Sequence, residues 1–246
     1  MNPYWQLFYK ALLLILLVIG QRRAMAENWA ETVKLPKGER AVPLFNGRDL
    51  AGWEGQTDKY FSVVEGMIRA ANDDAVPAST YLFTKENYRN FRLLFEVTQT
   101  RSPRHSTTHS AVAALGERIM EGTDPYGFRG PLLMFCNDWG VWDAHSRDRV
   151  HPPGHEGVWL WDGERVGKWN RIEILVVGNH IRMAANDHLV MDFVDDAAML
   201  ESSPIGLQLH VNDRPQEFHF RGLLLVREPV DRLVTLPTQC HTLNRR

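Results

Sequence analysis

The stretch Arg171-Ile172-Glu173-Ile174-Leu175-Val176-Val177-Gly178-Asn179-His180-Ile181-Arg182-Met183 decides the fold class. Ile172, Ile174 and Val176 recur every second residue. That period places them on one face of a strand, not along a helix. Gly178-Asn179 is a two-residue turn signal, and Ile181 and Met183 open the return strand. Asn186-Asp187 is a second turn, followed by Leu189, Met191 and Phe193. The same period extends outward. Phe91, Leu93, Phe95 and Val97 alternate with Arg92, Leu94, Glu96 and Thr98. Ile205, Leu207 and Leu209 alternate with Gly206, Gln208 and His210, and Phe218, Phe220, Leu224 and Val226 form a last run. No amphipathic stretch of helical period and useful length appears after residue 27. Short strands joined by turns, with no helices between them, predict an all-β sandwich or jelly roll of antiparallel sheets rather than an α/β fold.

The 246 residues, 44% of them hydrophobic, exclude a disordered chain and suit one domain, predicted from 41 to 228. The net charge of −2 offers no basic patch, so no nucleic-acid partner is expected. Two cysteines, Cys136 and Cys240, are either two thiols or one bridge and cannot make a disulfide framework. Residues 1–26 read as a signal peptide. Lys10 precedes the apolar run Ala11–Gly20, and Ala24-Met25-Ala26 fits small-x-small cleavage. A run of ten is too short to span a bilayer, which takes about 20 residues. Arg22-Arg23 after the run opposes export, and Met25 offers an alternative start. The expectation is therefore a secreted or periplasmic protein, with no membrane contact after cleavage. A membrane-anchored leader and a cytoplasmic product starting at Met25 are the alternatives. Removing 1–26 takes Lys10, Arg22 and Arg23 and no acidic residue, which moves the net charge from −2 to −5. Residues 27–40 read as a linker and 229–246 as a C-terminal tail.

Histidine and tryptophan are locally concentrated. His105, His109, His145, His151 and His155 fall in or beside two polar loops, and Trp139, Trp142, Trp159 and Trp161 bracket the second. Functional groups gather on loops carried by a rigid scaffold. Indole faces suit the C–H face of a sugar ring, or else they fill the core. His145, His151 and His155 with Asp143 and Glu156 are a candidate divalent-metal set, with spacing looser than H-E-x-x-H. Carboxylates are the usual acid and base of sugar chemistry, and Glu96, Glu117, Asp138, Asp143, Glu156 and Asp162 lie near the loops. The E-x-D-x-x-E string of laminarinase-type sandwiches is missing, as are a phosphate-binding glycine loop and a G-x-S-x-G elbow. Gln208 and His210 point away from the core, as do Glu217, His219 and Arg221. If those two strands are neighbours, one polar outer face results.

Several strings resemble a single family. Leu44-Phe45-Asn46-Gly47-Arg48-Asp49-Leu50-Ala51-Gly52-Trp53 is similar to the opening motif of the 3-keto-disaccharide hydrolases. Phe61-Ser62-Val63-Val64-Glu65-Gly66-Met67-Ile68 resembles their second strand pair, and Lys168-Trp169-Asn170-Arg171 through Ile181 their central hairpin. Pro204–His210 and Phe218–Leu223 resemble their closing strands, so the likeness runs from 44 to 226. His109-Ser110-Ala111-Val112 stands where the family commonly has Asn-Ser-Gly-Val, and Val211-Asn212-Asp213 where it often has glycines.

The resemblance implies a concanavalin A-like jelly roll acting on an oligosaccharide or glycoside whose sugar carries a C3 ketone. That ketone acidifies the C2 hydrogen, so the group at C1 leaves by elimination and water adds afterwards. Such chemistry needs a base near C2, a polar or metal partner for the ketone oxygen, and an acid for the leaving oxygen. From face and loop position, His109 or Glu117 is the candidate base, with Asp143 or His145 as its partner. His210 and Gln208 are candidates to hold hydroxyls or the ketone. Arg92, Glu96, Trp139, Trp142 and Trp159 are candidates to shape the cleft. No cofactor is required by these residues beyond the candidate divalent metal. A non-catalytic carbohydrate-binding domain of the same fold and a structural protein of the envelope are the alternative readings.

Overall fold

The computed structural model describes residues 28–101, 109–136, 140–142, 167–195, 200 and 202–237, with backbone alone at 140–142. Two antiparallel sheets face each other. The eight-stranded sheet is built on β6 (Phe91–Arg101), which pairs on one side with β12 (Asn170–Val177) and on the other with β16 (Gln216–Arg227). Beyond β12 come β13 (His180–Ala185) and β14 (His188–Val194). Beyond β16 come β4 (Met67–Asn72) and β3 (Phe61–Val64), with β1 (Ala41–Pro43) on the far half of β16. The six-stranded sheet runs β11 (Gly140–Trp142), β10 (Leu132–Phe135), β7 (Ser110–Ala113), β15 (Ser203–Leu209), β5 (Thr80–Tyr88), β2 (Trp53–Glu54). A two-stranded ribbon, β8 (Glu117–Glu121) with β9 (Asp124–Arg129), lies outside both. The helix α1 (Trp29–Thr32) is a single turn capped by Asn28 Oδ1, which accepts from Ala30 N at 3.2 Å.

The alternating residues meet where the period of two puts them. Phe91, Leu93, Phe95 and Val97 pack with Ile172, Ile174, Val176, Phe218 and Phe220 from one sheet. Val112, Leu133, Phe135, Ile205, Leu207 and Leu209 meet them from the other. Asn186 and Asp187 both hold positive φ, 48° and 71°, as a tight hairpin turn between right-twisted strands requires. β16 carries a register shift between Arg221 and Leu224, and Gly222 sits in it at φ 66°. A Cβ there would overlap the Asn28 side chain that caps α1, so the bulge and the cap are built around a glycine.

The expected flanks belong to the packed unit. α1 contacts β16 and β6, and Glu39 joins Arg92 in a buried ion pair. Residues 230–235 lie across the outer face of the eight-stranded sheet. There Leu233 packs on Leu175 and Ala184, and the carbonyls of Val230 and Arg232 accept from Arg92. The expected linker and the start of the expected tail are therefore parts of the fold. A buried guanidinium needs acceptors, and these segments supply them. Loss of periodicity cannot reveal this, since they bind through backbone groups, one carboxylate and the single leucine Leu233.

On the same outer face Glu217 accepts from Arg69 and pairs with His219, each at 2.7 Å. Burial pushes its carboxyl up, but the hydrogen bonds and charges of Arg69 and His219 outweigh it and hold the pKa at about 2. A lowered carboxylate pKa stabilises the fold fully above its ordinary 4.5, and this is lost as pH falls through that value toward about 2. Urea midpoints at pH 6, 4 and 3 are expected to fall, and to fall less in Glu217→Gln. An equal fall in the variant removes Glu217 as the source.

Candidate active site on the outer face of the six-stranded sheet

β7 and β15 are direct neighbours, with Leu207 opposite Val112. Following this antiparallel pairing outward brings His210, just past β15, beside His109, just before β7. Their rings face each other with centroids 4.1 Å apart and planes at 48°. On the other flank of β15, Gln208 lies opposite Tyr81 of β5, and Gln208 Nε2 donates to Tyr81 Oη at 3.0 Å. Ser110 Oγ donates to the Gln208 carbonyl at 2.8 Å and ties β7 to β15 at this point. Tyr81, Gln208, His109 and His210 line one cavity of about 230 Å³ with Glu121, Phe128, Gly130 and Leu132.

The ribbon β8–β9 makes the roof. Phe128 packs on Tyr81 and Phe83, with ring centroids 5.8 and 6.0 Å away. Gly116 and Gly130 cross in contact at the ribbon's base. A Cβ on Gly116 would overlap the Arg129 carbonyl and the Phe128 ring. Gly116→Ala is expected to cost about 1–3 kcal/mol, as overpacking does, and to lift the ribbon off the sheet. Thermal denaturation and tryptic cleavage within 117–129 measure it. Unchanged melting and cleavage mean the crossing adapts.

The electrostatics suit a proton-transfer site. Burial lowers the pKa of His210 from its ordinary 6.5, with the Val211 backbone offsetting part of that effect. The imidazole is therefore neutral at pH 7 and able to accept a proton. Burial raises the Tyr81 hydroxyl, while its Gln208 bond works the other way. Tyr81 is thus a neutral O–H donor in a dry wall. Gln208 Oε1 is buried without a hydrogen-bond partner among the described residues, an acceptor available to a bound hydroxyl.

Three expected residues thus converge, His109, Gln208 and His210, and three others, Arg92, Glu96 and Glu117, are placed elsewhere. Arg92 has no exposed side-chain surface and is paired with Glu173 and Glu39 on the outer face of the opposite sheet. Glu96 lies on that face too and accepts from Arg221 at 2.9 and 3.1 Å, with that guanidinium 4.0 Å over Trp169. Both alternate out of the core as expected, but β6 belongs to the other sheet, so neither shapes this cavity. For the same reason Gln208 and His210 do not share a face with Glu217, His219 and Arg221: β15 and β16 are in different sheets. Glu117 pairs with Arg129 at 3.2 Å on the exposed side of the ribbon. A register shift between Ile119 and Glu121 brings Glu121 to the cavity in its stead.

Trp142 is placed by backbone at the sheet edge, opposite the cavity residue Leu132. Asp143, His145, Trp139 and Trp159 lie outside the described residues, as do His151, His155, Glu156 and Cys240. Among the described residues no group of three or more His, Cys, Asp or Glu is placed to hold a metal. Sequence reasoning missed Tyr81, Glu121 and Phe128. For Tyr81 a signal existed: Tyr81 and Phe83 alternate with Leu82, which goes to the core.

The profile of the 3-keto-alpha-glucoside-1,2-lyase-like domain matches residues 40–128 and 162–225. No curated protein sequence matches the chain. Among solved structures, the Emp47p carbohydrate recognition domain superposes with a TM-score of 0.56 at 12% identity, covering 77% of this chain and 95% of that one. A Bacillus subtilis protein of unknown function with a galectin-like fold gives 0.53 at 12% identity, over 78% and 96%. A candidate glycosyl hydrolase from Parabacteroides distasonis gives 0.50 at 15% identity, over 84% and 99%. These likenesses establish the antiparallel jelly-roll sandwich. The profile spans both sheets and the ribbon down to Phe128, and by it the chain belongs to the 3-keto-alpha-glucoside-1,2-lyase-like domain family.

Proposed function

We propose that the protein is an enzyme that cleaves 3-keto-glycosides by β-elimination in the cavity under the ribbon. The observation that carries this reading is the His109–His210 pair, 4.1 Å apart, beside the Tyr81–Gln208 hydrogen bond. His210, less buried than His109 and held neutral, is the base. It takes the C2 proton, and the C–H electron pair forms the enolate with the C3 oxygen. His109, its ring packed against that of His210, acts as the neighbour that orients it. The Tyr81 O–H donates to the enolate oxygen, where charge develops. The enolate then expels the C1 substituent. The C1–O pair leaves with the oxygen, which takes a proton from water, leaving an unsaturated 3-keto sugar to which water can add. The substrate must come from a reaction that oxidises the sugar at C3, because an ordinary glycoside has no acidic C2 hydrogen.

Incubation of the purified protein with a 3-keto-disaccharide, with and without divalent metal, is expected to release the second sugar. The unoxidised disaccharide is expected to survive. Binding of both without release under either condition supports a carbohydrate-binding domain instead. Export belongs to the same proposal, since residues 1–26 carry a signal-peptide pattern. N-terminal sequencing of protein from the extracytoplasmic fraction is expected to begin at Glu27; a product beginning at Met25, found only in the cytoplasm, overturns export.

A further inference from the structure

Beside the inner cavity lies a wider recess of about 840 Å³. Its walls come from different parts of the chain: residues 55–60, after β2, and residues 121–126, at the tip of the ribbon. Pro77, Ala78 and Glu121 belong to both spaces, so the two adjoin across Glu121. The inner cavity, at about 230 Å³, is smaller than the roughly 300–1,000 Å³ of ordinary ligand pockets. A glycoside larger than one ring must extend out of it, and the recess is the space it enters.

We infer that this recess is the leaving-group subsite and that it selects a hydroxylated, neutral or basic sugar over an anionic one. The inference rests on the proposed placement of the keto sugar in the inner cavity. Tyr60 supplies an observation of its own. It is 6% exposed, and its buried hydroxyl has the Lys59 ammonium as its neighbour, an interaction that raises the Lys59 pKa. An ammonium donates and cannot accept, so the Tyr60 O–H keeps its proton to donate to a ligand hydroxyl in the recess. Tyr126, half-buried on the facing wall, offers a ring to the C–H face of a sugar.

Charge sets the selection. Asp58, Asp124 and Glu121 face the recess against Lys59, the one basic lining residue described. Lys59 Nζ lies over the Tyr60 ring, 4.6 Å from its centroid, which occupies part of its charge. The lining is net acidic, so a carboxylate on the leaving group meets repulsion at close range. A hydroxyl or an ammonium group meets acceptors.

The test uses three substrates that share a 3-keto-α-glucosyl unit and leave as methanol, glucose or glucuronate. Cleavage and calorimetric binding are both measured on the full chain. The glucose compound is expected to exceed the methyl compound in kcat/KM by about tenfold, and the glucuronate compound is expected to fall about three- to tenfold below the glucose compound. Tyr60→Phe is expected to reduce the advantage of glucose about threefold or more, and Asp58→Asn to narrow the gap to glucuronate. Equal values for all three, or differences unmoved by both variants, overturn the subsite. If nothing is cleaved but the binding order holds, the subsite stands and the elimination reading falls. If nothing binds, the subsite falls with it.

Discussion

Arg92→Leu is expected to destabilise the protein by about 3–5 kcal/mol, the cost of breaking a buried ion pair from one side. Arg92 is wholly buried. It pairs with Glu173, equally buried, and with Glu39, whose side chain is 4% exposed. It donates to Glu39 at 3.1 and 3.2 Å and to the carbonyls of Arg232 and Val230 at 3.0 and 3.2 Å. Glu173 in turn accepts from Val234 N, Thr235 N and Thr235 Oγ1 at 2.9, 2.9 and 2.7 Å. Arg92 therefore sits at the crossing of β6, the segment before β1 and the segment after β16. Leucine leaves two carboxylates and two carbonyls in a dry site without the cation that they share, and the backbone donors that remain to the carboxylates carry no charge. At roughly 2–4 °C per kcal/mol for a chain of this size, the loss amounts to about 10 °C in Tm. Arg92→Lys keeps the charge but loses the planar fork, so it is expected to recover only part of that loss. Activity per folded molecule is expected to stay the same, since this network and the cavity lie on opposite faces of the sandwich. An unchanged Tm for Arg92→Leu contradicts the role assigned to the network.

The alternation in 91–97, 172–183, 205–209 and 218–226 was enough to read the sandwich, because burial between two sheets imposes a period of two whatever the strand order. The same alternation hides which outer face a residue occupies. Arg92 and Gln208 obey one rule, out of the core on a central strand, and end on opposite sides of the molecule. Only the pairing of β6 with β12 and β16, and of β15 with β5 and β7, separates them. His109, Gln208 and His210 were legible because loop composition and strand alternation pointed to the same end of the chain's fold. Glu121 was not, because the register shift in β8 exchanges its place with that of Glu117 and leaves no mark in composition. Tyr81 lies in Thr80-Tyr81-Leu82-Phe83, an apolar run in which a functional phenol looks like core. The aromatic cluster around it is real, yet it backs the cavity wall on the outside of the sheet, away from the inter-sheet core.

His210→Gln is expected to lower kcat/KM toward a 3-keto-glycoside by about 10²- to 10⁴-fold, the contribution of a positioned general base. Glutamine keeps a polar side chain of similar reach but cannot accept and carry the C2 proton. His109→Gln, which removes an orienting neighbour, is expected to cost less. The pH profile separates a base from a mere ligand contact. In the folded protein His210 titrates below 6.5 because burial opposes its charged form. The active form is the neutral one, so kcat/KM should be level around pH 7 and fall as pH drops through a value under 6.5. A raised pKa would put the fall above 6.5. The residual activity of His210→Gln is expected to lack that acid limb, while Tyr81→Phe is expected to keep it at a lower rate, since phenylalanine removes the enolate's donor and leaves the base intact. An acid limb that persists unchanged in His210→Gln assigns the proton to another group and removes His210 from the base's role. Loss of the limb together with the rate ties the elimination to the His210 imidazole, which the β7–β15 pairing sets beside His109 at the cavity.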